Sequence, residues 1–199
     1  MGRSKILLGV VGTAGSGKTL FSKVFSEFGA TVINADKIGW EILKDSKIKE
    51  ALQKEFGYSI FSGSNIDRKI LGNIVFSDND KLKLLNSIVH PELIKRLKYK
   101  LDSIKKGVVV VDAALILQWK IEKWFNYIVL LKSKKCKQRL VSMGYNEKIV
   151  ENIINVQRKS LDESKADFIV INDGSMEELK IKAEEIWRRI NEIRIPYFN

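Results

Sequence analysis

The eight residues Gly12-Thr-Ala-Gly-Ser-Gly17-Lys18-Thr19 constrain this chain more than any other feature. They match G-x-x-x-x-G-K-[ST] and stand between an apolar run, Ile6–Val11, and an amphipathic segment, Lys18–Phe28. A phosphate-binding loop needs that placement. Its glycines let the backbone wrap around phosphate groups, and the helix that follows offers free N–H groups and the positive end of its dipole. Gly12, Thr13, Ala14, Gly15, Ser16 and Gly17 are the expected cradle. Lys18 is expected to neutralise β/γ-phosphate charge, and the Thr19 hydroxyl to ligate Mg²⁺. The chain is expected to bind a nucleotide.

Four further apolar runs, Thr31–Asn34, Val108–Asp112, Tyr127–Leu131 and Phe168–Asn172, join Ile6–Val11 as expected strands. Their apolar residues are continuous rather than alternating, as in parallel strands covered on both faces. Helical patterns separate them. In Lys18–Phe28 the residues Leu20, Phe21, Val24, Phe25 and Phe28 form one stripe. Ser175-Met-Glu-Glu178 reads as a capping box opening a last helix, with Leu179, Ala183, Ile186, Ile190 and Ile193 as its buried stripe. The expected fold is therefore α/β, a three-layer α/β/α sandwich of the P-loop NTPase kind around a five-stranded parallel sheet.

Two segments interrupt the alternation. Residues 37–106 carry helical patterns at Ile38–Leu43, Ile48–Phe56, Ile70–Phe76, Lys81–Val89 and Pro91–Ile104, and no convincing strand. Residues 136–165 are polar, basic and helical. The first reads as a helical insert and the second as a mobile lid, leaving 1–36, 107–135 and 166–199 as the nucleotide-binding core.

Two acidic residues end expected strands. Asp36 closes Asn34-Ala35-Asp36, where the carboxyl ends of parallel strands face the ligand crevice. A carboxylate there can accept a proton from an attacking hydroxyl; it can equally N-cap the helix that follows. Asp112 ends Val108–Asp112, a loose pattern for a second magnesium-holding carboxylate, though also a common turn residue.

Charge widens the choice of partner. Thirty-five Lys+Arg against 24 Asp+Glu give a net charge of +11, which suits nucleic acid, a membrane surface or phosphorylated small molecules. It is equally what lysines on solvated faces would give. The one dense basic cluster is Lys132–Arg139. No apolar run reaches the ~18–20 residues of a membrane span; the longest, Val108–Leu117, is broken by Asp112. The run after Met1–Lys5 is too short for a signal-peptide core, and Ile6 stands where a myristoylation signal needs Ser or Thr. A lone cysteine, Cys136, excludes an internal disulfide. A cytoplasmic protein with no membrane partner is expected.

Over nearly its whole length the chain resembles the dephospho-coenzyme A kinase family. The resemblance rests on Gly12–Thr19, Asn34-Ala35-Asp36, Phe56-Gly57, Ile66-Asp67-Arg68 through Leu71, Val75-Phe76, His90-Pro91, Asp112–Ile116, Gln138-Arg139-Leu140, Gln157 and Ala166-Asp167 through Asn172. It implies ATP- and Mg²⁺-dependent phosphorylation of the ribose 3′-hydroxyl of dephospho-coenzyme A. By match, Asp36 accepts the hydroxyl proton, and Lys18 and Arg139 serve the transferred phosphate. Gly12 through Leu20, Arg139 and Asn172 would meet ATP, while Arg68, His90 and Leu115 line the acceptor side. Residues 37–106 correspond to the acceptor-binding region. The same reading expects no obligate nucleic acid and a monomer or weak homo-oligomer.

Other residues read differently. His90-Pro91 is also an X-Pro turn with proline at a first helical position, and Arg68 also suits a surface near a helix cap. Leu20, Ala114, Gln118 and Met143 depart from the family's usual Thr, Pro, Glu and second lid Arg, and leave open a slow enzyme or a shifted acceptor. The alternatives are another small-molecule or nucleotide kinase on the same scaffold and, favoured only by charge, a nucleic-acid-dependent ATPase. The latter would want aromatics on a basic surface, whereas Phe21, Phe25 and Trp187 fall on apolar stripes.

Overall fold

The computed structural model describes residues 5–192. Its core is a parallel sheet of five strands, β1 (Lys5–Gly12), β2 (Thr31–Asn34), β5 (Gly107–Asp112), β6 (Tyr127–Lys132) and β7 (Phe168–Ile171). They lie in the order β2-β5-β1-β6-β7. β1 runs down the middle, with Leu8 opposite Val110 on one side and Tyr127 on the other. The three inner strands are nearly all buried and the two edges only half covered, which is why the inner runs are the most continuously apolar.

Helices close both faces. α1 (Lys18–Glu27) and α8 (Met176–Glu192) cover one, burying Phe21, Phe25, Leu179, Ala183, Ile186 and Ile190 against the sheet. Phe25 meets Trp187 edge-on at 6.2 Å, so these aromatics belong to the core. The capping box at the start of α8 is closed both ways: Glu178 N donates to Ser175 Oγ, and Ser175 N to Glu178 Oε1. Ile193, the last residue of the expected stripe, and Met1–Ser4 lie outside the described residues.

The other face is covered from within residues 37–106. α2 (Ala35–Ile42) leaves β2 directly, followed by α3 (Ser46–Phe56), a hairpin of β3 (Phe61–Ser62) and β4 (Asn65–Ile66), α4 (Arg68–Phe76) and α5 (Asn79–Ser103). The hairpin corrects the expectation of no strand in this segment. Its strands are two residues long, too short for an alternating pattern to register.

α5 corrects a second expectation, because it runs unbroken through His90-Pro91. An interior proline costs about 3 kcal/mol. The same helix buries Val89, Leu93, Leu97 and Leu101 against β5 and α2. At about 1.5–3 kcal/mol for each such side chain, packing outweighs the lost backbone bond.

Residues 136–165, the expected lid, contain α6 (Cys136–Ser142) and α7 (Glu147–Lys159), joined through Cys136, Leu140, Val150 and Ile154. Among the described residues no helix is long and apolar enough to cross a membrane.

Candidate active site

The site is built at the carboxyl ends of β1, β2 and β5. The loop from Gly12 to Gly17 turns tightly into α1, and two of its glycines are demanded by their surroundings. Gly15 has φ +75°, and a Cβ there would sit 2.5 Å from the Cys136 carbonyl oxygen. Gly17 has φ +96°, and its Cβ would lie 2.2 Å from Asn172 Nδ2. Any side chain would push the loop off the segments that brace it.

Those braces come from distant parts of the chain. Asn172 Nδ2 donates to the Ser16 carbonyl at 2.8 Å. Arg139 donates through Nη1 to the Gly15 carbonyl at 3.1 Å and through Nη2 to the Asn172 carbonyl at 2.9 Å. Gln157, on α7, accepts from the Ala14 N–H at 2.7 Å. The Thr13 hydroxyl lies 3.3 Å from Cys136 Sγ. α6 and α7 are thus in direct contact with the loop. Within the cradle the Ser16 hydroxyl is buried with no partner, as suits a donor waiting for a phosphate oxygen.

Lys18 is buried, and its ammonium donates to the Thr13 carbonyl at 3.1 Å. Burial lowers its pKa; Asp112, Asp36 and Cys136 pull the other way. Thr19 Oγ1 donates to Asp112 Oδ2 at 2.7 Å, and Asn34 Nδ2 donates to the same oxygen at 2.9 Å.

Asn34 also settles how α2 is capped. Its Oδ1 accepts from the Lys37 N–H, so Asn34 is the N-cap and Asp36 sits in the first turn. The capping reading of Asp36 is thereby corrected, and its carboxylate is free of that role. Asp36 keeps an exposed surface at the mouth of a cleft whose walls displace much of the water around it. That desolvation raises its pKa and Asp112 adds to the rise, while Lys18 and Arg68 oppose it.

Asp36 opens into a pocket of about 250 Å³ that also contains Trp40, Asn86, His90, Leu115 and Trp119. Arg68 reaches this pocket through Trp40, its guanidinium carbon 3.8 Å from the ring centroid. His90 meets Trp119 edge-on at 5.5 Å, and burial lowers its pKa to about 4, so it is neutral at pH 7. The expected acceptor-side residues therefore come together. A larger, more enclosed cavity of about 500 Å³, lined by Thr13, Lys132, Arg158 and Asp173, contains none of them.

The departures fall outside the cradle's contacts. Leu20 is exposed on α1, and Met143 is the largely exposed C-cap of α6. Gln118 is exposed, and Ala114 lines the acceptor-side pocket. The basic cluster is mostly paired: Lys132 with Glu163, Lys137 with Glu147 and Glu151, and Lys135 with the Asp173 carbonyl.

Sequence reasoning missed Asn34, Trp40, Asn86 and Trp119. Two of these carried a readable signal, since Trp40 and Asn86 each stand four residues from a candidate, Asp36 and His90, and so share its helix face.

A model of the dephospho-CoA kinase family matches residues 6–178. The dephospho-CoA kinase of Borreliella burgdorferi is 35% identical over 164 residues, covering 79% of each chain. That of Fusobacterium nucleatum is 32% identical over 192 residues, covering 94% of this chain and all of its own. The solved dephospho-CoA kinase from Campylobacter jejuni superposes with a TM-score of 0.68 at 22% identity, over 96% of this chain and all of its own, which shows a shared fold.

Proposed function

The chain belongs to the dephospho-CoA kinase family, and from that premise we propose that it moves the γ-phosphoryl group of ATP onto the ribose 3′-hydroxyl of dephospho-coenzyme A. The products are coenzyme A and ADP, the last step of coenzyme A synthesis. The observation that carries this reading is the position of Asp36, which lines the acceptor-side pocket and lies near enough to the buried Lys18 of the phosphate loop for their charges to interact.

Each residue then has a task. Asp36 takes the proton of the 3′-hydroxyl as its oxygen bonds to the γ-phosphorus, and the bond from that phosphorus to the β-phosphate oxygen breaks. Lys18 and the N–H groups of the cradle hold the phosphates and offset charge in a water-poor site. Arg139 spends two of its five N–H donors on backbone carbonyls. The others remain for phosphate oxygens, so it meets the transferred group from a braced position. Asn172 keeps the loop in shape through Ser16, in addition to its place beside ATP.

A magnesium ion fits the residues present. Thr19 Oγ1 and Asp112 Oδ2 are hard oxygen donors 2.7 Å apart beside the cradle, and Mg²⁺ is usually held by one or two such groups, water and substrate phosphates. When bound, the ion neutralises charge on the β/γ-phosphates.

Residues 37–106 would seat the acceptor, and 136–165 would close over the donor. The ion-paired state of the basic cluster favours a small-molecule partner over obligate nucleic acid. We place the protein in the cytoplasm, as a monomer or weak homo-oligomer. The test is ADP release with Mg-ATP over dephospho-coenzyme A, nucleoside monophosphates and single-stranded DNA. Turnover with dephospho-coenzyme A alone is expected; preference for either other acceptor would overturn the proposal.

A further inference from the structure

The acceptor-side pocket contains polar side chains that the protein leaves without partners. Asn86 and His90 lie one turn apart on α5 and both line it, as does Trp119. Among the described residues neither Asn86 nor His90 makes a side-chain hydrogen bond, and the Trp119 indole N–H is buried with none. The rest of the wall is mostly apolar, with Leu43, Leu71 and Leu93 among its members. Asn86 and His90 are half-exposed, so their polar atoms are open to whatever enters the pocket, whereas the buried Trp119 N–H costs free energy while unpaired.

We infer that Asn86 and His90, beside the Trp119 ring, read the heteroaromatic base of the acceptor by hydrogen bonds and so set which nucleotide is phosphorylated. The inference rests on the function proposed above. If the 3′-hydroxyl sits at Asp36, the base hangs from the same sugar ring two carbons away and falls within the same pocket. At about 250 Å³ the pocket lies just below the ~300–1,000 Å³ of drug-sized sites. It suits a ring system with its sugar, and the remainder of a long acceptor must extend outside.

The chemistry of the two side chains agrees. A carboxamide presents a donor and an acceptor side by side, the pattern that pairs with the amino group and ring nitrogen of adenine. Neutral His90 offers one donor and one acceptor. Trp119 also fixes the plane of His90 by its edge-on contact.

The test compares dephospho-coenzyme A with its analogue carrying hypoxanthine in place of adenine. For wild type, Asn86→Leu and Trp119→Phe, kcat/KM and calorimetric affinity are measured with both acceptors, and melting temperature certifies the fold. Wild type should prefer the adenine acceptor by about tenfold or more. Asn86→Leu should shrink that ratio severalfold, with the loss in KM rather than kcat, and Trp119→Phe should shrink it less. Equal kcat/KM and equal affinity for the two acceptors in wild type would overturn the base-reading role, as would a ratio unchanged in both variants. Base-dependent affinity without any turnover would instead overturn the proposed transfer reaction and leave base reading in place.

Discussion

Thr19, at the end of the phosphate loop, donates its hydroxyl proton to Asp112, the last residue of β5, across 2.7 Å. The two residues are 93 positions apart. Asp112 Oδ2 also accepts from Asn34, so one carboxylate oxygen ties the loop, the end of β5 and the start of α2 together. Asp112→Asn should raise the Mg²⁺ concentration giving half-maximal rate about 10–100-fold, read from a magnesium titration at fixed ATP. An unchanged titration would remove Asp112 from the metal site.

Asp36 and Asn34 should separate cleanly. Asp36→Asn removes the proton acceptor but no cap, so kcat should fall about 10²–10⁴-fold with ATP affinity nearly intact. Asn34→Ala should cost about 1 kcal/mol of stability through the cap, measured by urea denaturation. If the stability loss instead followed Asp36, the assignment of the cap would be wrong.

The acid limb of kcat/KM should lie above the ordinary aspartate range, because desolvation in the cleft raises the Asp36 pKa. Transfer requires the charged form, so activity is lost as pH falls through the raised value. Arg68 lowers that pKa; Arg68→Gln should move the limb to higher pH. A shift the other way would show that Arg68 does not face Asp36.

Lys18→Ala should lower kcat/KM about 10²–10³-fold, the usual loss when one preorganised charge is removed from a phosphoryl-transfer site. Activity within threefold of wild type would rule out the phosphate-loop mechanism.

In the lid, Arg139→Ala should lose most of its activity in kcat, since Arg139 braces Gly15 and Asn172 and keeps free donors for phosphate. Lys137→Ala should do little, because Lys137 is engaged with Glu147 and Glu151 at the surface. Met143 caps α6 and is 73% exposed, so Met143→Arg should fold normally and leave kcat/KM no lower. Steady-state kinetics on the three variants decide it; a silent Arg139→Ala would mean that another basic residue meets the phosphates.

The phosphate loop was legible from sequence alone because its chemistry is contiguous. Eight consecutive residues supply the turn, the donors and the charge, and a strand and a helix on either side fix their orientation. The five strands were legible for a related reason: parallel strands covered by helices must be apolar throughout, and that demand is written locally in Val108–Asp112 and Tyr127–Leu131. Ser175 and Glu178 announced their helix by reciprocal capping three residues apart.

Tertiary structure decided whatever depends on a contest between local preference and distant packing. Pro91 should end a helix, yet α5 passes through it because Leu93, Leu97 and Leu101 gain more by burial than one backbone bond loses. The sequence offered Asp36 as the cap of α2; the fold instead places the Asn34 carboxamide on the Lys37 N–H and leaves Asp36 lining the pocket, within reach of the Lys18 charge. The acceptor wall is the extreme case. Trp40, Asn86 and Trp119 come from α2, α5 and the segment after β5; helix spacing ties the first two to Asp36 and His90, but only the fold brings all three into one cavity. Hydrogen-bonding need and desolvation are properties of the assembled surroundings, so they exist only once the helices have closed on the sheet.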